Sequence, residues 1–378
     1  MPPKRRLGVV GLGEGRSILS AARSSPRWQV AAVCDLDETL CRQRIEEFGL
    51  DRWTTAYDDL LADPKIDTIA IYTPDHLHLD HCLRALAADK HVICTKPLLD
   101  SLIGADRLLD AARRSSGRLM VGQSTRFFEP MINQRRDVEA GRHGELVAVD
   151  AHYSTDARWF LSRDWSTGTT FSWLWNFLIH AVDLVRWYLP DVDEVTGFGT
   201  VSPNTLRAGL DRPDSLRFVL RTPSGQLATV SGNYTLPGID QRLEPSIGCL
   251  IRGTEGSSRA DYPGLTYHTR FAGEGPRSHD FTALSGHYFR FEGTSHHAGE
   301  YQNYLDYFAT CLDSGLDPRP GPAEAIETLA LLEAMERSLA HDGQPVRRSQ
   351  ILADHNLLTL LPPTRHLRGR SVGVSKQL

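Results

Sequence analysis

The sequence has no excess of positive charge. Its 42 Lys and Arg stand against 47 Asp and Glu, a net charge of −5. Non-specific nucleic-acid binding needs a basic face that neutralises phosphates, so no nucleic-acid partner is expected. Nor does it contain a C-x-x-C pair. The six cysteines are Cys34, Cys41, Cys82, Cys94, Cys249 and Cys311, and their spacing offers neither a redox motif nor a zinc site. Cys34 and Cys94 stand in apolar, strand-like runs, where a free thiol behaves as a small hydrophobe. All six are expected to be reduced and structural. No run approaches the roughly 18 apolar residues of a membrane span, which removes a membrane partner. The basic start MPPKRR leads into an apolar stretch too short for an export signal, cut by Glu14 and Arg16. A soluble, cytoplasmic protein without repeats or low-complexity linkers is the expectation. At 378 residues it exceeds one ordinary core, so two domains are expected.

What is present is an alternation of buried strands and helices. Apolar runs at 7–10, 29–34, 68–72, 91–94 and 119–122 read as strands. Residues 17–24, 37–48, 78–88 and 102–115 read as the helices between and after them. Continuous apolar strands alternating with helices indicate a parallel sheet covered on both faces. The loop after the first strand is Gly11-Leu12-Gly13-Glu14-Gly15-Arg16, with Ser17 in the helix that follows. Gly11 permits a tight turn, Gly13 lets backbone approach a pyrophosphate, and the helix N-terminus stabilises that anion. The third glycine of the usual pattern is missing: Arg16 takes its place and Gly15 lies one residue early. Asp35 ends the second strand roughly 20 residues on, where a carboxylate accepts hydrogen bonds from a ribose 2′-hydroxyl. This spacing predicts a dinucleotide site. Leu36 and Asp37 follow, with no Lys or Arg to receive a 2′-phosphate, so NAD is favoured over NADP. Arg16 and Arg42 are the basic side chains that would oppose that choice.

Three further segments carry a resemblance: Tyr72-Thr73-Pro74-Asp75-His76-Leu77-His78, Cys94-Thr95-Lys96-Pro97, and His180-Ala181-Val182-Asp183. With the glycine loop, they resemble the glucose–fructose oxidoreductase, inositol dehydrogenase and rhizopine-catabolism (Gfo/Idh/MocA) family. The likeness is strong over 5–195 and weaker to about 350. It implies an α/β fold: an N-terminal Rossmann domain over 1–125, then an α/β domain over 126–360 with a large, mostly antiparallel open sheet. Residues 361–378 read as a mobile tail. The sequence supports the second sheet independently, since 216–222 and 226–235 read as a hairpin, as do 246–253 and 257–262. An open sheet face in this family usually pairs with a second subunit, which implies a homodimer or homotetramer.

The resemblance also assigns residues. Lys96 is the lysine beside nicotinamide and substrate, holding the reacting hydroxyl and passing protons. His180 is the histidine at the head of a helix in the second domain. Thr73, Pro74, His78 and Pro97 line the cofactor side, with Gly11, Leu12, Gly13, Gly15, Arg16, Ser17 and Asp35. The implied activity is hydride transfer between NAD and a hydroxyl carbon of a sugar, cyclitol or polyol. Loss of hydride needs a base for the hydroxyl proton; imidazole suits that, and a nearby ammonium favours an alkoxide. Two departures stand out. Thr95 replaces the common Glu before Lys-Pro, and Asn176 replaces an Asp four residues before the histidine. Asn176 can orient a hydrogen bond but cannot balance an imidazolium by charge. Two other readings of the same fold follow: a glycosidase working through transient oxidation, and a non-catalytic NAD or sugar sensor. Arg126, Trp165, Asn176, His180 and Asp183, with Lys96, are the candidate substrate contacts. Arg126 could instead anchor the domain junction, and Asp183 could serve as an ion-pair or capping residue. The aromatic, basic stretch 152–175 reads equally as a substrate wall or as packing under a loop. The histidines at 76, 78 and 81, and the adjacent pair at 296–297, do not make a metal site by spacing.

Overall fold

The structure, a computed structural model, describes residues 4–162, 171–240, 243–284 and 299–362. The chain divides into two compact units: Met1–Phe127 with Leu284–Ile326, and Phe128–Ala283 with Glu327–Leu378.

In the first unit the apolar runs become β1 (Arg5–Val10), β2 (Trp28–Cys34), β3 (Trp53–Thr54), β4 (Thr68–Ile71), β5 (His91–Thr95) and β6 (Leu119–Gly122). They form one six-stranded sheet in the order β3-β2-β1-β4-β5-β6, every neighbouring pair parallel. Helices α1 (Arg16–Ser24), α2 (Glu38–Phe48), α3 (Tyr57–Ala62), α4 (His78–Ala87) and α5 (Ala105–Arg114) connect the strands. Asp37 caps α2 by accepting from the amides of Thr39 and Leu40, and Gly49 closes it in a left-handed turn. The predicted helix over 102–115 starts later, because Gly104 holds φ 81° immediately before it. The order of connections reverses between β1 and β4. Their carboxyl ends therefore open a crevice where such sheets bind ligands. All six cysteines are free and buried, and burial pushes the Cys34 thiol up to about 12.

The sequence suggested that 126–360 is one continuous second domain. Instead, Leu284–Ile326 returns to the first unit. The physical reason is the helix Glu300–Ser314. It sinks Tyr301, Tyr304, Leu305, Phe308 and Leu312 into the cluster formed by Leu7, Ile18, Leu19, Trp28 and Phe127. The Trp28 indole N–H donates to the Leu305 carbonyl at 2.9 Å, and its ring stacks on Phe308 at 6.2 Å.

The second unit is built on a nine-stranded sheet. Its strands are β7 (Leu146–Ser154), β8 (Glu194–Thr200), β9 (Ser215–Arg221), β10 (Leu227–Asn233), β11 (Ile247–Gly253), β12 (Gly256–Tyr262), β13 (Thr266–Phe271), β14 (Arg277–Asp280) and β15 (Val346–Arg347). The order is β14-β13-β12-β11-β7-β10-β9-β8-β15. Both predicted hairpins form, as β9–β10 and β11–β12. Of the neighbouring pairs, β7–β10 is parallel and the others are antiparallel. Leu216, Phe218 and Leu220 of β9 are buried while Arg217, Val219 and Arg221 are exposed, so one face packs and the other is open. Helices α6 (Glu129–Glu139) and α7 (Ile179–Tyr188) pack on this sheet. No described helix is long and apolar enough to cross a membrane.

Phe308 is fully buried in the first-unit core, so Phe308→Ala should cost about 3–5 kcal/mol. Urea unfolding of the first unit, followed by the fluorescence of Trp28, measures the loss.

Candidate active site

The glycine loop is tied twice to the end of β2 within the first unit. The Gly11 amide donates to the Cys34 carbonyl at 2.9 Å. The Leu12 amide donates to the Asp35 carboxylate at 2.7 Å. The second Asp35 oxygen accepts the Asp37 amide at 3.0 Å. Each of these oxygens has room for another donor, so Asp35 can hold the turn and a ribose hydroxyl together. Gly11 sits at φ +83°, and a Cβ there would lie 2.5 Å from the Tyr72 backbone. A Cβ on Gly15 would lie 2.2 Å from the Gly11 carbonyl oxygen, whereas one on Gly13 would meet nothing within 4 Å. Gly15 therefore makes the close helix-to-loop contact one residue before the usual place, and Gly13 leaves an open backbone face. This cradle fits a pyrophosphate at the start of α1.

The two basic side chains that could favour a 2′-phosphate are both paired. Arg16 bridges Glu47 at 2.5 Å, and Arg42 pairs with Glu38 one helical turn away. Arg44, not singled out from sequence, donates to the Leu12 carbonyl at 3.1 Å and bridges Glu47 at 2.9 Å. Its signal was available in the i, i+3 pair it forms with Glu47 on α2. Ser17 is buried in the first turn of α1.

Thr73, Pro74, Lys96 and Pro97 follow the ends of β4 and β5. Pro74 is exposed, and Thr73 and Lys96 are half-buried. The Lys96–Pro97 peptide is cis. Burial pushes the Lys96 ammonium below its ordinary value, opposed by the carboxylates of Asp75 and Glu14. His78 is fully buried and does not present a free polar atom. Its Nδ1 lies 2.7 Å from the Pro97 carbonyl oxygen and its Nε2 2.8 Å from that of Thr73. The Thr73 hydroxyl pairs with His81 Nδ1 at 3.1 Å. Two of the three clustered histidines are thus bound to protein groups, and among the described residues no His/Cys/Asp/Glu cluster fits a metal. Arg126 is buried and lies 3.7 Å from the Glu324 carboxylate, both within the first unit.

In the second unit a π-helical turn, Leu174–Leu178, runs into α7. Asn176 locks its start. Its amide donates to the Ser172 carbonyl at 2.8 Å, and its Oδ1 accepts the Ser172 amide at 3.0 Å. A carboxylate could accept that same amide, so the Asn keeps the positioning half of an Asp's work and omits the charge. His180 is buried, with its ring edge-on to Tyr153 at 5.6 Å. Asp183, one turn on, is buried. Phe160, Phe171 and Trp173 pack on one another, and Trp173 stacks on Tyr234 at 5.0 Å. These members of the aromatic stretch are core. Tyr153, half-buried, lies beside His180, and the half-buried Phe177 tilts against Tyr153. Sequence reading missed Phe177 and Tyr234, since neither is distinguished by spacing. Trp165, Arg163, the 296–297 histidines and 363–378 lie outside the described residues.

Comparison with known proteins identifies the family. Residues 5–123 match an oxidoreductase family's NAD-binding Rossmann fold, and 135–347 match the same family's C-terminal alpha/beta domain. An inositol 2-dehydrogenase of Rhizobium meliloti is 24% identical, over 90% of this chain and 98% of its own. A D-xylose 1-dehydrogenase (NADP(+)) of Haloferax volcanii is also 24% identical, over 88% and 95%. The structure of levoglucosan dehydrogenase in complex with NADH and levoglucosan superposes with a TM-score of 0.78. It is 20% identical and covers 91% of this chain and 99% of its own. Because the missing Cβ of Gly15 is what admits the Gly11 carbonyl, Gly15→Ala should weaken NAD binding about tenfold or more, roughly 1.4 kcal/mol. Calorimetric titration with NAD reads this loss, and an unchanged affinity would remove the loop from the site. The two family matches and the glycine, Thr-Pro and Lys-Pro segments that they span show that this chain belongs to the Gfo/Idh/MocA oxidoreductase family.

Proposed function

We propose that the protein oxidises a hydroxyl-bearing carbon of a sugar, cyclitol or related polyol, with NAD as the electron acceptor. The observation that carries this reading is Lys96. It is a half-buried lysine at the carboxyl end of β5, with its ammonium destabilised by burial, in the sheet that carries the glycine cradle. The named activities of the relatives support the substrate class. Asp35, with Arg16 and Arg42 both engaged by glutamates, supports NAD over NADP.

Bound NAD supplies the hydride acceptor. Lys96 in its neutral form accepts the hydroxyl proton, and as an ammonium it stabilises the developing alkoxide. His180 is the second proton-handling group, and Asn176 sets the turn that leads to it. Arg126, Trp165 and Asp183 complete the proposed substrate contacts. The open face of the nine-stranded sheet suits pairing with a second copy of the chain, as a homodimer or homotetramer. The proposed compartment is the cytoplasm.

The test is NADH formation at 340 nm with NAD and a panel of inositols, aldoses and anhydrosugars. Lys96→Ala should lower kcat by at least about 100-fold, the scale of a lost general base. The pH dependence has a definite sign. Oxidation needs the neutral amine, and burial lowers the lysine's pKa. So kcat/KM should rise with pH, through a midpoint below the ordinary lysine range. A rate that falls with rising pH, or full activity in Lys96→Ala, rejects Lys96 as the base.

A further inference from the structure

The two loops that carry Thr73-Pro74 and Lys96-Pro97 leave different strands, β4 and β5. Neither loop is held by a ladder bond at its tip. One side chain touches both. His78, fully buried at the start of α4, faces the Pro97 carbonyl with Nδ1 at 2.7 Å and the Thr73 carbonyl with Nε2 at 2.8 Å. Both partners are oxygens that only accept and both lie at hydrogen-bond distance, so the neutral ring donates its one N–H to one of the two carbonyls and packs against the other, while a doubly protonated ring donates to both. Neither ring nitrogen is left for a ligand, so the residue cannot act as a polar contact to the cofactor.

We propose that His78 is a positioning residue: its imidazole staples the Lys96-Pro97 segment to the Thr73-Pro74 turn and so fixes where the Lys96 amine sits. Pro97 adjoins Lys96, so the contact to its carbonyl bears on the lysine's own backbone. Thr73 is held again through its hydroxyl by His81, whose carbonyl accepts the Tyr57 hydroxyl at 3.0 Å. A ring that merely filled space would be replaced without consequence by another ring. A staple would not. The idea rests on Lys96 being the proton-handling group, and it adds a cause for the lysine's buried, weakened ammonium: the segment is kept from swinging into water.

The test is trace acetylation of lysines in the full chain across pH, read residue by residue by mass spectrometry. It needs no substrate. Lys90 is the internal control for folding, because its ammonium is buried and donates to the Asp63 and Ile66 carbonyls at 2.9 and 2.7 Å. In His78→Phe, with Lys90 still protected, the Lys96 midpoint should move up by about 1 pH unit as the amine regains water. An unmoved Lys96 midpoint overturns the staple. If Lys90 becomes labelled, the phenylalanine variant has unfolded, and His78→Gln decides. That variant retains an N–H donor, so a smaller upward shift of Lys96 supports the staple and no shift rejects it. Turnover surviving in Lys96→Ala would sink the base assignment alone, because the labelling reads the staple separately.

Discussion

The Asp35 carboxylate accepts the Leu12 amide at 2.7 Å, and the nucleotide half of the molecule is arranged around that bond. It ties the loop after β1 to the end of β2. The Gly11 amide on the Cys34 carbonyl ties the same loop one residue earlier. A hydrogen bond to a charged group contributes about 1.5–3 kcal/mol, enough to hold a turn whose glycines give up most of their conformational freedom. The same carboxylate has room for a further donor and repels a 2′-phosphate. One group thus shapes the loop and sets the cofactor preference.

Sheet topology does the rest of the positioning in the first unit. The order β3-β2-β1-β4-β5-β6 lines up the carboxyl ends of β2, β1, β4 and β5. Four short sequences far apart in the chain therefore become neighbours along one edge. Each is a loop that leaves a rigid strand, which is why so few residues need precise side-chain support. His78 supplies that support where the strands stop.

Much of this was legible in the sequence because parallel strands buried on both faces are continuous apolar runs, and α2 shows both its ends, Asp37 and Gly49. The two-residue β3 and six-residue α3 were not legible, being too short to show a period. The third glycine was legible only as a defect. The coordinates show that Gly15 already makes the contact which that position usually makes. The return of 300–314 to the first unit was hidden because its apolar stripe says that a helix face is buried but not against what. His78 was placed near the cofactor by resemblance. That both its nitrogens are consumed by carbonyls is a tertiary fact that spacing cannot carry. In the second unit the hairpins were readable from alternation and turns. The aromatic stretch was ambiguous, since a ring that lines a site and a ring that fills a core look alike in sequence.

The central claim is net transfer of a hydride from a carbinol carbon to NAD. The most direct measurement uses a polyol or sugar turned over by the protein, deuterated at its carbinol carbons, with NAD in excess. Mass spectrometry then reads the label in the dinucleotide. The account predicts that NADH accumulates with one deuterium per turnover. Cleavage of a glycosidic bond with no labelled NADH accumulating, or NAD binding with no label transferred at all, would contradict it.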